Sequence, residues 1–205
     1  MTEGFLGARR VSRETMARFK TYEALLRKWN PVINLVSRST LDDIWGRHFL
    51  DSAQLFDLAG DMWKSWADLG SGGGFPGLVI AILSADSRPD ARMTLVESDQ
   101  RKATFLRAVG QETGVTLRVI ADRAESLPPL SVDILSARAL ASLDRLLFYA
   151  EKHLAPEGTA LFPKGMNHAA ELDQALESWR FSYETTASET DPSAVVYAIK
   201  GISRA

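Results

Sequence analysis

The 205-residue chain contains no cysteine, which excludes disulfides, thiolate metal sites, iron–sulfur clusters and cysteine nucleophiles together. Histidine is almost as scarce. The three present, His48, His153 and His168, stand far apart without an HExxH or paired-acid spacing, so no metal site is expected. An excess of either charge is also missing: 24 Lys or Arg against 26 Asp or Glu leave a formal net charge of −2. Long hydrophobic runs are absent. The longest uncharged stretch, residues 69–85, holds five glycines and a proline and is too short and broken to span a bilayer. The first residues carry no apolar segment of signal-peptide length, so export is not expected. The expectation is a soluble, cytoplasmic protein, monomeric, with no membrane or metal partner. What is present is ordinary globular composition, 45% hydrophobic and 24% charged, on a chain long enough for one domain with a real core.

The charge that exists is unevenly placed. Residues 1–48 carry nine Lys or Arg against five Asp or Glu, and the remainder fifteen against twenty-one. A basic front end can face phosphates, although a solvated helix face is the plainer reading. Ser12 is an N-cap candidate, and Met16, Phe19, Tyr22, Leu25, Leu26 and Trp29 recur at helical spacing until Asn30-Pro31, where the helix is expected to stop. A second helix is expected from Ser39 or Thr40, with Asp42 and Asp43 at the positive end of its dipole and Leu41, Ile44, Trp45, Phe49 and Phe56 as its stripe.

From Ser65 short apolar runs alternate with longer amphipathic ones. SWADL, RMTLVES, VTLRVIAD, VDILSAR and TALFPKG read as strands. LVIAIL, SDQRKATFLRAVGQETG (closed by Gly114) and LASLDRLLFYAEKHL read as the helices between them. Strands joined through helices imply right-handed crossovers and a parallel sheet covered on both faces. After the helix NHAAELDQALESWR, two strand-like runs flank Asp191-Pro192 and predict an antiparallel hairpin at a sheet edge. The expected fold class is α/β, doubly wound, mostly parallel and Rossmann-like, with an N-terminal helical cap (residues 1–60) on a domain of residues 61–205.

The most informative stretch is WADLGSGGGFPGLVIAIL, residues 66–83. A strand ends at Leu69, four of the next five residues are glycine, and a helix begins near Gly77, so backbone amides can approach a ligand at a helix N-terminus. Gly72-x-Gly74-x-x-Gly77 formally matches a dinucleotide fingerprint, with Glu97 about twenty residues on. Three details favour another ligand. Asp68 would repel a pyrophosphate but suits an ammonium or a loop ordered around a cation. Pro76 removes an amide from the helix start. Counted from Gly70, the sixth position is Phe75. S-adenosylmethionine, with an ammonium, a sulfonium and no phosphate, fits better, and Glu97 can accept both ribose hydroxyls. A nicotinamide-dependent oxidoreductase using the same loop is the runner-up. A P-loop is excluded because no Gly-Lys-Ser/Thr follows, and Ser71 lies in no Gly-x-Ser-x-Gly elbow.

The string DLGSGGGFPG, with KWNPVINLVS and RHFLDSAQL before it and RAE at 123–125, SARALASL at 136–143 and FPKG at 162–165 after it, resembles the glucose-inhibited division protein B family. The resemblance runs from about Leu25 to Gly165. It implies a class I methyltransferase fold, S-adenosylmethionine as methyl donor, and transfer to N7 of a guanine in the decoding-centre loop of 16S ribosomal RNA or the small-subunit particle. By position it implies cofactor contacts from Gly70, Phe75, Glu97, Ala124, Glu125 and Arg138, to which Asp68 and Gly72 of the loop are added. Arg138, His48 and Lys164 are the expected catalytic group, Arg138 and Lys164 at strand ends and His48 beside Arg47 and Asp51. Ordinary readings stand beside these: a surface ion pair for Arg138, a satisfied core histidine for His48, a solvated Lys164 and a core Phe75. A noncatalytic RNA-binding assembly factor is the remaining alternative. Guanine N7 has a free lone pair at neutral pH, so transfer to it needs positioning rather than a general base. That agrees with the lack of a recognisable catalytic dyad.

Overall fold

The computed structural model describes residues 4–205. A short antiparallel pair, β1 (Gly4–Leu6) and β2 (Arg9–Val11), precedes α1 (Arg13–Ile33) and was not anticipated from the sequence. Ser12 caps α1, its side chain accepting from the Thr15 amide at 2.9 Å. The helix does not stop at Pro31 but runs on to Ile33. Proline so near the C-terminus removes only one helical bond, and the Asn30 side chain accepts from the amides of Leu35 and Val36, both at 2.8 Å. Asn34, left-handed at φ 51°, ends the helix.

The second helix also departs from expectation. Arg38–Thr40 form a single 3₁₀ turn, and the helix begins later as a wide π-type stretch, Trp45–Leu50, that passes directly into α2 (Asp51–Leu58). Asp43, rather than Ser39 or Thr40, sets the start: its carboxylate accepts from the Gly46 amide at 3.0 Å and its carbonyl from the Arg47 amide at 3.0 Å.

The main sheet comprises β3 (Ser65–Leu69), β4 (Arg92–Val96), β5 (Arg118–Ile120), β6 (Val132–Ser136), β7 (Leu154–Lys164), β8 (Trp179–Ala187) and β9 (Val195–Arg204). Their spatial order is β5-β4-β3-β6-β7-β9-β8, parallel except that β9 runs antiparallel to both β7 and β8. β5 covers only part of VTLRVIAD, and β7, eleven residues long, begins directly after its preceding helix. Helices α3 (Gly77–Ser87), α4 (Gln100–Thr113), α5 (Leu143–His153) and α6 (His168–Ser178) link the strands.

Each face of the sheet has its own core. Trp66, Leu95, Ile134 and Leu161 join α1, α2, α3 and α4 on one side, while Ala67, Val96, Leu135 and Phe162 join α5 and Trp179 on the other. This alternation follows the two-residue period of a strand. Helix α3 is buried from Gly77 to Ser84, which explains its uniformly apolar sequence; each fully buried Leu, Ile or Val contributes roughly 1.5–3 kcal/mol. The chain winds outward from β3 to β5, then returns to β6 beside β3. The loops after β3 and β6 therefore part at a topological switch point, the crevice where open α/β sheets hold ligands.

Candidate active site

The loop after β3 is built around two buried carboxylates. Asp68, fully buried, accepts from the Ser136 hydroxyl at 2.7 Å and from the Gly77 amide at 3.2 Å. Burial pushes its carboxyl up to about 6, against the hydrogen bonds from neighbouring hydroxyls and the Gly77 amide and the charge of Arg138. Asp68 therefore orders the turn from below, the second of the two roles expected of it. Glu97 follows directly on β4 and is 7% exposed. Its Oε2 accepts from the Gly72 amide and its Oε1 from the Asp99 amide, both at 2.8 Å. Each oxygen retains a further lone pair, so two hydroxyls can still be accepted.

The glycines serve different ends. Gly70 is left-handed at φ 66°, and a Cβ there would stand 2.6 Å from Leu140. At Gly77 a Cβ would meet Leu95 at 2.3 Å and Asp68 at 2.8 Å, so the helix start can approach β3 and β4 only without a side chain. The Phe75 ring turns inward. It stacks on Tyr22 at 5.4 Å and on His48 at 4.7 Å and is 4% exposed, so the expected contact of its ring with ligand is replaced by packing that anchors the loop to α1. Tyr22 completes the anchor by donating to the Gly73 carbonyl at 2.5 Å.

Two cavities open at the switch point. One, of about 260 Å³, is lined by Gly70, Val96, Ala124, Glu125, Leu140 and Tyr149 among others. It unites Gly70 with the adjacent Ala124 and Glu125, which lie far from it in sequence. The Ala124 carbonyl accepts from His153 Nε2 at 2.9 Å, which pins the segment to α5. The second, of about 400 Å³, brings together His48, Arg138 and Lys164 with Thr40, Asp51 and Glu171. Leu140 and Arg138, two residues apart, stand on opposite cavities, and Ala139 between them is held left-handed at φ 53°.

The wall of the second cavity is a chain of paired groups. Arg138 donates to Asp51 at 2.9 Å and to His48 Nδ1 at 2.9 Å, and its guanidinium lies 5.1 Å from the centre of the Phe75 ring. Because arginine only donates, Nδ1 of His48 is the acceptor and Nε2–H donates to Thr40 Oγ1 at 2.9 Å. Burial, reinforced by the adjacent Arg138 charge, lowers His48 to about 4. The imidazole is neutral with both nitrogens engaged. Lys164 is not a free cation: it pairs with Glu171 at 2.6 Å and donates to the Ala141 carbonyl at 3.1 Å, which corrects its reading as an open phosphate contact. Leu140, Tyr149, Thr40 and Glu171 escaped sequence reasoning, since nothing in helical or strand periodicity marks residues that meet only at the sheet edge. Among the described residues no three His, Asp or Glu side chains gather as metal ligands, and no helix is long and apolar enough to cross a membrane.

Comparison with known proteins agrees with this arrangement. A family model described as rRNA small subunit methyltransferase G matches residues 15–194. The Ribosomal RNA small subunit methyltransferase G of Ruegeria sp. (strain TM1040) is 53% identical over 194 residues, covering 95% of this chain and 94% of its own. The protein of that name from Cereibacter sphaeroides (strain ATCC 17029 / ATH 2.4.9) is 50% identical over 203 residues, covering 99% and 98%. Among solved structures, a TehB-like SAM-dependent methyltransferase from Corynebacterium glutamicum superposes with a TM-score of 0.57 at 14% identity, covering 91% of this chain and 99% of that one. The 16S rRNA methylase RmtB gives 0.55 at 14% identity, covering 90% and 74%. The sheet order, the antiparallel terminal hairpin and these neighbours are those of class I methyltransferases, and by the extent of its match the chain belongs to the rRNA small subunit methyltransferase G family.

Proposed function

We propose that the protein transfers a methyl group from S-adenosylmethionine to N7 of a guanine in the decoding-centre loop of 16S ribosomal RNA. The observation that carries this reading is the wall of the second cavity, in which His48, Asp51 and Glu171, the groups beside Arg138 and Lys164 that could take a proton, are already engaged. His48 is held neutral with both nitrogens bonded. Asp51 is paired with Arg138, and Glu171 with Lys164. Such a wall suits an acceptor atom that carries a lone pair and no proton, as N7 does, and does not suit one that must first be deprotonated.

The cofactor fit rests on the cradle. Gly70 keeps the turn free of a side chain beside Leu140, Glu97 offers two half-used oxygens at the strand end, and a cavity of about 260 Å³ lies beside Ala124 and Glu125 for the adenine. Membership of a methyltransferase family argues for S-adenosylmethionine over a nicotinamide dinucleotide. The bound cofactor supplies an electrophilic methyl on a sulfonium. The chain supplies position: Glu97 and the Gly70–Gly74 turn hold one side, Arg138 and His48 border the other, and orientation of this kind contributes up to roughly 7–11 kcal/mol without acid–base chemistry. Methylation leaves the purine positively charged, and Asp51, Glu171 and Asp191 border the same cavity. N7 lies on the edge that a deep RNA major groove hides, so a loop nucleotide is the fitting substrate.

The test is transfer of labelled methyl to ribosomal RNA and to small-subunit particles, followed by mapping of the modified nucleotide. Label at N7 of a loop guanine supports the proposal. Label on another atom removes the acceptor assignment, and binding of RNA without transfer favours a noncatalytic assembly factor.

A further inference from the structure

The C-terminal hairpin reaches across the sheet edge to the second cavity. The turn between β8 and β9 contributes Ser188, Thr190 and Asp191 to its lining. Three contacts, spanning 139, 135 and 134 positions of sequence, fasten that turn to α2, the third being Gln54 Nε2 donating to Ser188 Oγ at 3.4 Å. Thr190 Oγ1 donates to Asp51 Oδ1 at 2.9 Å, and the Glu189 amide donates to Gln54 Oε1 at 3.2 Å. Gln54 Nε2 donates in turn to the Asp51 carbonyl at 2.8 Å and to Asp51 Oδ1 at 3.1 Å. The other carboxylate oxygen, Oδ2, holds Arg138 Nη1 at 2.9 Å.

Asp51 therefore has the strand-end cation on one oxygen and the hairpin turn on the other. A carboxylate held at one oxygen can still rotate about its terminal torsion, which is broad and soft. Held at both, it presents a fixed plane to the guanidinium, and charge-assisted bonds are the ones strong and directional enough to transmit that placement. We propose that Thr190 and Gln54 are positioning residues for methyl transfer, acting through Asp51 to hold Arg138 against the acceptor cavity. The hairpin is thus a working wall of the site rather than an edge that only closes the sheet. This inference rests on the methyl-transfer reading, and His48 offers a readout independent of it. The imidazole accepts from Arg138 and is bordered by the charges of Arg138, Asp51, Arg47 and Asp43.

The experiment compares Thr190→Val, which removes the hydroxyl at nearly constant shape, with Thr190→Ser, which keeps it, and adds Gln54→Leu. The expected result for Thr190→Val is a fall in kcat of roughly tenfold, the scale on which small misplacements act. KM for the methyl donor should be unchanged, Tm should fall by the few degrees that the lost bond predicts while the protein stays folded at the assay temperature, and Thr190→Ser should recover most of kcat. By nuclear magnetic resonance, the titration of His48 should move up towards its ordinary value in Thr190→Val, as Arg138 loosens, and stay in place in Thr190→Ser. Unchanged kcat and unchanged titration in both Thr190→Val and Gln54→Leu overturn the proposal. So does an equal loss in Thr190→Val and Thr190→Ser, or a loss no larger than the unfolded fraction at the assay temperature accounts for. If the wild-type protein transfers no methyl, the functional reading fails by itself. The His48 titration then decides alone: a shift in Thr190→Val sustains the hold on Arg138, and no shift refutes it.

Discussion

Replacing Arg138 by alanine separates a role in chemistry from a role in folding. The substitution deletes the bonds to Asp51 and His48 and the approach to the Phe75 ring. Both partners of the ion pair are mostly buried, at 19% and 18% side-chain exposure, so its loss exceeds that of a surface pair. A hydrogen bond to a charged group contributes about 1.5–3 kcal/mol, and a partly exposed cation over a ring about 0.5–1 kcal/mol. Two such bonds and the ring contact sum to roughly 3.5–7 kcal/mol. A domain of about 10 kcal/mol, the middle of the ordinary range, stays predominantly folded after such a loss, so unfolding accounts for less than about a twofold fall in rate. Loss of orientation at the acceptor cavity is expected to lower methyl transfer by about a hundredfold or more. Chemical denaturation and labelled-methyl transfer, measured on the same preparation, check the two figures. A folded Arg138→Ala protein with transfer within twofold of wild type would refute the assignment of Arg138 to the reaction.

Other outcomes follow from the same geometry. Gly70→Val places a branched side chain at a left-handed φ of 66° and against Leu140, so calorimetry should detect no S-adenosylmethionine binding by a protein that remains folded; wild-type affinity would remove the loop from the site. Gly77→Ala, which meets Leu95 and Asp68, should cost about 1–3 kcal/mol in denaturation experiments, whereas Gly165→Ala, with open space around its Cβ, should fall within about 0.5 kcal/mol of wild type. His48 titrates near 6.5 when unfolded and at about 4 when folded, so the unfolded chain binds the extra proton between those values. Its contribution to stability is complete above pH 6.5 and is lost as pH falls to about 4, an interval equivalent to roughly 3 kcal/mol. Asp68, raised to about 6, acts with the opposite sign over part of that range, but it is present in both proteins when wild type is compared with His48→Asn. The difference in stability between the two should therefore change by up to about 3 kcal/mol across the window, and parallel pH profiles would contradict the buried neutral imidazole.

Much of the framework was legible along the chain because it depends on short-range rules. The strand–glycine–helix turn at residues 65–77, the capping of α1 by Ser12, the closure of α4 by Gly114 and the antiparallel terminal pair all follow from local periodicity and turn chemistry. The failures were local rules overridden by partners from elsewhere. Pro31 did not end α1 because the Asn30 side chain served the amides beyond it. Phe75, placed in a ligand loop by its neighbours, turned inward because Tyr22 and His48 offered aromatic faces.

By itself the sequence determined the class of fold, the cofactor-type loop and the family blocks, since each is written in residues within a few positions of one another. Only the tertiary structure decided that Asp68 lies beneath the loop, that Lys164 is neutralised by Glu171, and that Arg138 is clasped by His48 and Asp51. Those outcomes rest on groups from separate elements meeting at the switch point of the sheet. Burial and pairing there, rather than residue type, set which side chain is free to meet a ligand and which is spent on holding another.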